Sequence, residues 1–105
     1  MKETDTVRCV MDSDREREIS IERWAYDLVR MAVLQAVPAN EQGVPIDDLP
    51  DRVSEYLSPD DLVRLGAWRW YVTAVRLTML DSGELVLVPG SSPERVRRPE
   101  QAPAD

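Results

Sequence analysis

The chain has 105 residues, of which 31% are charged and 43% hydrophobic, a composition typical of one small globular domain. No apolar run approaches the roughly 20 residues that a membrane-spanning helix needs, so we expect no membrane span. The sequence contains one cysteine, Cys9, which cannot form an internal disulfide. Unpaired thiols are typical of reducing compartments, and we therefore expect a cytoplasmic protein.

The formal net charge is −7, from 13 basic and 20 acidic residues. This acidity argues against non-specific binding to nucleic acid, which depends on neutralising phosphates. The charge is unevenly distributed along the chain. Residues 19–60 carry three arginines and eight acids, whereas residues 61–83 carry three arginines and two acids. Any contact with DNA is therefore expected in the second half of the chain.

The inventory of residues argues against an enzyme. The sequence has no histidine, the commonest general base and metal ligand. Cys9 has no base beside it, and the four glycines form no phosphate-binding loop. The pairs Asp47–Asp48 and Asp60–Asp61 suit helix starts but lack the further ligands that a metal needs. We predict no catalytic residue, no cofactor and no metal.

The first half of the chain predicts an arm followed by two helices. Residues 1–18 lack hydrophobic periodicity and predict a mobile acidic arm. From Ser20, the predicted N-cap, apolar residues recur at steps of three and four until Pro38, which predicts an amphipathic helix. A loop with a short extended segment follows, and a short second helix is predicted from Asp47 or Asp48 to Leu57.

The second half begins with a further helix start. Ser58, Pro59 and Asp61 have the spacing of a cap, a first helical position and a capping-box acid. Gly66 is expected to separate this small helical turn from the third main helix, which runs from about residue 67 to residue 81. Gly83 suits a left-handed C-cap after that helix.

The C-terminal residues predict a β-hairpin. The sequence "ELVLVPG" predicts a strand, "SS" a tip and "ERVRRP" a return strand, and residues 99–105 are expected to be a disordered tail. The order is then helix, extended piece, helix, helix, hairpin, which is the order of a winged helix. We predict an α+β fold, with a winged-helix domain of three main helices and a C-terminal hairpin wing over residues 19–98.

Residues 65–98 resemble the C-terminal half of small bacterial winged-helix proteins, a largely uncharacterised group. In these proteins a Trp-x-Val-Thr-x-Val-basic-Leu helix leads into a wing that begins with glycine. The strongly acidic sequence ahead of this segment departs from the group. The resemblance implies a winged-helix fold, and the matching residues are Trp70, Val72, Thr73, Val75, Arg76, Leu77 and Gly83.

The third helix has two apolar lines with a polar stripe between them. One line is Leu65, Trp68, Val72, Val75 and Met79, and the other is Trp70, Ala74 and Leu77. The stripe consists of Arg69, Thr73 and Arg76, which we predict to enter the major groove of DNA. Arg95, Arg97 and Arg98 of the wing are predicted to contact its phosphates. The alternatives are solvated or ion-paired helix arginines at Arg69 and Arg76, and a strand edge charged against aggregation at Arg95, Arg97 and Arg98.

We expect Trp24, Leu28, Trp68, Val72 and Val75 to share one core, because they lie on the apolar faces of two helices. Other apolar residues exceed what one small core needs. They are Val29, Val33 and Val37 of the first helix and the second apolar line of the third helix, and they favour a homodimer.

Two functions fit the sequence. The first is a dimeric DNA-binding transcription regulator that uses the third helix and the wing. The alternative is a winged-helix protein-protein interaction module of a larger complex, whose acidic half meets a basic partner.

Overall fold

The computed structural model describes residues 5–10, 18–39, 42–90 and 93–99. The predicted hairpin tip, residues 100–105 of the predicted tail, and residues 1–4 and 11–17 of the predicted arm lie outside the described residues. The described part of the chain has an α+β architecture with four α-helices and two small antiparallel sheets. No helix in it is both long enough and apolar enough to span a bilayer.

The helices are α1 (Arg23–Ala36), α2 (Leu49–Ser54), α3 (Pro59–Leu65) and α4 (Trp68–Ser82), with a 3-10 turn at Ile46–Asp48 ahead of α2. The strands are β1 (Thr6–Val10), β2 (Glu18–Glu22), β3 (Val44–Pro45), β4 (Val86–Leu87) and β5 (Arg95–Arg97).

The prediction of a mobile arm over residues 1–18 is wrong for β1 and for the first residue of β2. Strands β1 and β2 pair antiparallel, with Thr6 opposite Glu22 and Val10 opposite Glu18. In β1, Cys9 is fully buried and Val7 partly buried, while Thr6 and Arg8, which alternate with them, are exposed. This alternation gives the hairpin one apolar face. The charged residues of the segment conceal that pattern in the sequence.

Helix α1 begins later than predicted. Its N-cap is Glu22, and Ser20 lies within β2 opposite Arg8. The hairpin keeps the chain extended through Ser20, so the serine cannot cap the helix. The predicted end is confirmed: Val37 is the C-cap, and Pro38 follows it.

The predicted helix start at Ser58 is confirmed as a capping box. The Asp61 N–H donates to Ser58 Oγ at 3.1 Å, and the Ser58 N–H donates to the Asp61 carboxylate at 3.2 Å. Residues 59–65 form a separate helix, so the described chain has four α-helices where three main ones were predicted. Gly83 has φ 90° and ends α4 in the left-handed region, as expected.

A single cluster of buried side chains joins the helices to both sheets. Val72 and Val75 belong to it, and Leu28 and Trp68 pack against it while partly buried. The prediction for Trp24 is wrong: its side chain is 37% exposed, and the Arg64 guanidinium carbon lies 4.2 Å from its ring centroid. The fully buried large side chains include Leu49, Met79, Leu85, Val29, Val33 and Val96.

The C-terminal sheet has the order β3-β5-β4. The predicted hairpin forms, but β4 covers only two residues of the predicted strand. Strand β3 pairs with β5, with Val44 opposite Val96. Gly43, just before β3, has φ 64°, and a Cβ there would lie 2.5 Å from the Val96 carbonyl oxygen. Only glycine fits this approach of the loop to the central strand.

Candidate functional site

Helix α4 has one face in the core and another face directed outward. Val72, Val75 and Met79 are at most 1% exposed on the inner face. Trp70 and Leu77 lie two turns apart on the outer face, as helical spacing requires. Trp70 is 42% exposed and Leu77 is partly buried. A large apolar side chain therefore stands in solvent near the start of this helix.

An apolar groove of about 430 Å³ lies beside the C-terminal half of α4. Its walls come from the end of β1, from α4 and from the segment that leads into β4. The groove is lined by Val10, Leu77, Leu80, Asp81, Gly83, Leu85, Val86 and Leu87. All of these except Asp81 are apolar or glycine, and Leu87 is 46% exposed. The groove is thus an open apolar surface with one carboxylate in its lining.

Hydrogen bonds to α4 hold both walls of the groove in place. The Val10 N–H of β1 donates to Thr78 Oγ1 at 2.9 Å. The Leu85 N–H, just before β4, donates to the Met79 carbonyl at 3.1 Å. Strand β4 in turn pairs with the central strand β5. Hydrogen bonds to α4 therefore hold the end of β1 and the start of the segment before β4 on either side of the groove.

The two N-terminal residues of the predicted polar stripe of α4, Arg69 and Thr73, make hydrogen bonds within the chain. Arg69 donates to the Asp51 carboxylate at 2.9 Å, and its guanidinium carbon lies 4.6 Å from the Trp68 ring centroid. Thr73 Oγ1 donates to the Arg69 carbonyl at 3.3 Å. Arg69 nevertheless remains 62% exposed, so this ion pair is open to solvent and weak.

Arg76 differs from Arg69 in its surroundings. Burial of its guanidinium lowers the pKa of Arg76 from the ordinary arginine value, and the charge of Glu94 acts in the opposite direction. An arginine pKa starts so high that the side chain stays cationic at neutral pH. Glu94, whose charge acts on Arg76, immediately precedes β5.

The three predicted wing arginines donate to backbone carbonyls. Arg95 Nε donates to Gln42 at 2.6 Å, and Arg98 Nε donates to Val37 at 2.7 Å. Arg97 donates to the carbonyl of Arg98 at 3.3 Å. The side chains of Arg95 and Arg98 therefore tie the region of β5 to the segment after α1.

The expected interface valines of α1 are part of the core. Val29, Val33 and Val37 are each 0% exposed, because α1 packs against α2 and α4 along this side. That part of the argument for a dimer is wrong. The second apolar line of α4 divides: Ala74 is buried, while Trp70 is exposed.

The groove was not predicted from the sequence, although one of its lining residues had been placed on an apolar line of the third helix. The second apolar line of the third helix includes Leu77, which now contributes to the groove. Leu80 and Leu87 could not be assigned to it, because the groove depends on how β4 returns along α4. The exposure of Trp70 likewise depends on which neighbouring elements cover the start of α4.

The fold and this surface define a small α+β domain with an exposed apolar groove beside its longest helix. Residues 6–96 match the model described as "Family of unknown function (DUF6958)", and the chain belongs to that family. Comparisons with curated proteins and with solved structures gave no match.

Proposed function

We propose that this protein is a protein-interaction module that binds through the outer face of α4 and the adjoining groove. One observation carries the proposal: the exposed Trp70 and the apolar groove belong to the same helix. Exposed apolar patches of this kind mark interaction sites in soluble proteins. Tryptophan is also the side chain most enriched among residues that dominate binding energy at interfaces.

The charges of the domain agree with binding to protein rather than to phosphate. The net charge is −7, and Arg69, Arg95 and Arg98 each make a hydrogen bond within the chain. The acidic segment of the chain, residues 19–60, contributes no residue to the lining of the groove. The groove offers mainly apolar contact. The partner proposed for this surface is therefore an apolar one, and not the basic partner predicted from the acidic first half of the chain.

A winged-helix topology is part of the same proposal. Strand β3 lies between α1 and α2 in the chain and joins the C-terminal hairpin as a third strand. Helix α4 immediately precedes that hairpin, as the third helix of a winged helix precedes its wing. Helix α3 would then be an additional turn between the second and third helices of the motif.

Affinity capture with single variants tests the proposed function. The tagged wild-type chain, Trp70→Ala and Trp24→Ala are each used to capture proteins from cells of its source. Trp24 is a matched control, because it is also a partly exposed tryptophan but belongs to α1. We expect capture of a defined partner by the wild type and the control, and its loss with Trp70→Ala. Equal capture by all three chains would reject the proposed surface.

Binding of duplex DNA is the second candidate function, and one observation favours it. Arg69 is 62% exposed on α4, the helix that a winged-helix protein presents to the major groove. If DNA is bound, Arg69→Ala should weaken specific binding by about 1–3 kcal/mol. Arg97→Ala should weaken all duplexes alike and lower the salt slope by about one. Fluorescence anisotropy with a duplex library at low salt measures this, and absence of binding by the wild type would remove this candidate.

A further inference from the structure

The groove follows the edge of a strand rather than the face of a sheet. Leu85, Val86 and Leu87 are consecutive in the chain, and all three line it. Consecutive side chains of a strand point to opposite faces, so three in a row border the same groove where it runs along the strand edge. Strand β4 is an outer strand in the order β3-β5-β4. The groove therefore lies beside the edge of β4 that faces away from β5.

The backbone of Leu87 directs its hydrogen-bonding groups to that outer edge. The Val88 N–H donates to the Arg95 carbonyl at 2.9 Å, and Val86 pairs with Arg97. In an antiparallel ladder, residues bonded to the neighbouring strand alternate with residues whose N–H and C=O point away from it. Leu87, between two bonded residues, is of the second kind. Among the residues that the structure describes, neither of these two groups of Leu87 has a hydrogen-bond partner.

The open edge of β4 is short. Positions 85 and 89 lie on the same edge as Leu87, because a strand repeats every two residues. The Leu85 N–H already donates to the Met79 carbonyl at 3.1 Å, and Pro89 has no N–H. Long open edges invite unlimited association, and proline is one of the residues that prevent it. This edge therefore offers one free N–H, which suits a short added segment.

We propose that the partner of the groove is a short extended segment of another protein, which pairs with β4 as a fourth strand of its sheet. This inference rests on the proposed function and names the class of its partner. The added backbone accepts a hydrogen bond from the Leu87 N–H and donates one to the Leu87 carbonyl. Every second side chain of the segment enters the groove. Main-chain bonds provide affinity in this mode of recognition, and pockets for alternate side chains provide specificity.

The lining of the groove selects an apolar segment without net negative charge. Its volume of about 430 Å³ lies in the range of ligand-binding clefts. Its described lining contains no basic side chain, and its carboxylate, Asp81, already has a partner within the chain. The chain as a whole carries a charge of −7, which repels acidic segments. Apolar contact and backbone pairing are therefore the interactions that the groove offers.

Peptide display tests the geometry of the partner. The wild-type chain selects from a library of random peptides of about nine residues, somewhat longer than an ordinary strand of about five or six. We expect the selected peptides to carry apolar residues at every second position and no net negative charge. Apolar residues at steps of three and four would indicate a bound helix and overturn the proposal, as would a selection that enriches no peptide.

Two variants at Leu87 test the backbone contact with the tightest selected peptide. Leu87→Ala removes the side chain alone, whereas Leu87→Pro also removes the N–H. Proline is tolerated on an edge strand where the lost N–H makes no ladder bond. Fluorescence anisotropy should give Leu87→Pro a dissociation constant about 10-fold above that of Leu87→Ala, the loss expected for one buried hydrogen bond. Circular dichroism checks that both variants are folded. Equal dissociation constants in the two folded variants would overturn the pairing with β4.

Amide hydrogen exchange of the wild type tests the same contact without a variant. The Leu87 amide should exchange rapidly in the free chain and about 10-fold more slowly, or slower still, when the peptide is bound. The Val88 amide is the internal control, because it is bonded to Arg95 and should be protected in both states. A Leu87 amide that remains unprotected in the complex would overturn the proposal.

These experiments separate strand pairing from the proposed function. If a partner is captured through Trp70 but the peptides have a helical pattern or leave the Leu87 amide unprotected, strand pairing fails and the interaction module stands. If capture does not depend on Trp70 and no peptide is selected, both proposals fail.

Discussion

The two hairpins of this protein differ in how completely α4 and its neighbours cover them. In the N-terminal hairpin, Cys9 is 0% and Ile21 5% exposed. In the C-terminal hairpin, Leu85 and Val96 are fully buried, but Leu87 is 46% exposed. Cys9 and Ile21 of the first hairpin are thus used within the fold, whereas Val10 at the end of β1 lines the groove. The second hairpin contributes both to the core and to an open groove.

This difference separates residues that stabilise the chain from residues available to a partner. Substitutions at Cys9 and Ile21, the buried residues of the N-terminal hairpin, should change the free energy of unfolding. Substitutions at the exposed part of the C-terminal hairpin should leave it nearly unchanged and affect association instead.

The largest expected effect is at Ile21. Ile21→Ala should lower the free energy of unfolding by about 2–5 kcal/mol, because it removes buried methyl groups and leaves a cavity. Leu87→Ala should lower it by less than about 1 kcal/mol, since nearly half of that side chain is already in water. Urea denaturation at low protein concentration measures both. Equal losses of unfolding free energy in the two variants would show that Ile21 and Leu87 contribute equally to the stability of the fold.

A smaller effect is expected at Thr78, which joins the N-terminal hairpin to α4. Thr78→Val removes the acceptor of the Val10 N–H, and the unsatisfied amide should cost about 1–3 kcal/mol. Thr73→Val is the matched control, because its hydroxyl donates only to a carbonyl of its own helix. The control should change the free energy of unfolding by less than about 0.5 kcal/mol. A silent Thr78→Val would mean that this hydrogen bond does not hold the hairpin.

The burial of Cys9 predicts a dependence of stability on pH. Burial raises the pKa of the Cys9 thiol above its ordinary value of 9.0, and a hydrogen bond with Thr78 acts in the opposite direction. The neutral thiol is therefore favoured in the folded state. Its contribution is fully present below pH 9 and is lost as pH rises above the unfolded pKa toward the folded one.

Cys9→Ala should remove this part of the alkaline loss of stability. Urea midpoints of both chains between about pH 8 and pH 10.5 measure the difference, because that range spans the ordinary thiol pKa. Burial also raises the pKa of Tyr26, so the variant keeps a smaller decline of its own. Identical slopes in the two chains would contradict the burial of the thiol.

The smallest expected effect is at Asp5, which also links the hairpin to α1. The Arg23 guanidinium lies 3.0 Å from the Asp5 carboxylate, but the side chains are 48% and 70% exposed. Such a pair contributes little, because solvent screens it. Asp5→Asn should leave the urea midpoint unchanged within error. A measurable fall in the urea midpoint would show that the Asp5–Arg23 ion pair stabilises the N-terminal hairpin in addition to the burial of its apolar residues.

Local signals in the sequence predicted the helices well. The periodicity of α1 and α4 and the Ser58 capping box each involve residues within a few positions of one another. The N-terminal hairpin was missed because Arg8 and Glu22 occupy exposed positions of its strands, and the sequence of residues 11–17 is rich in acids and arginines. Its inward residues, such as Cys9 and Ile21, are too few to form an evident pattern.

Features that join distant parts of the chain could not be predicted. Trp24 is exposed beside Arg64, a contact that depends on where α3 lies relative to α1. The predicted wing arginines Arg95 and Arg98 turned out to bond carbonyls more than 50 residues earlier in the chain. The groove likewise requires β1, α4 and β4 to be placed together before its apolar residues can be recognised as one surface.

The position of β5 at the centre of its sheet has a consequence for how the protein is synthesised. Strands β3 and β4 both pair with β5, which is the last of the three to leave the ribosome. Until residues 95–97 emerge, both earlier strands lack their partner and present open backbone edges. The second sheet therefore assembles only after nearly all of the described chain has been translated. A nascent chain stalled before that point would expose Leu85 and Val44 to neighbouring polypeptides.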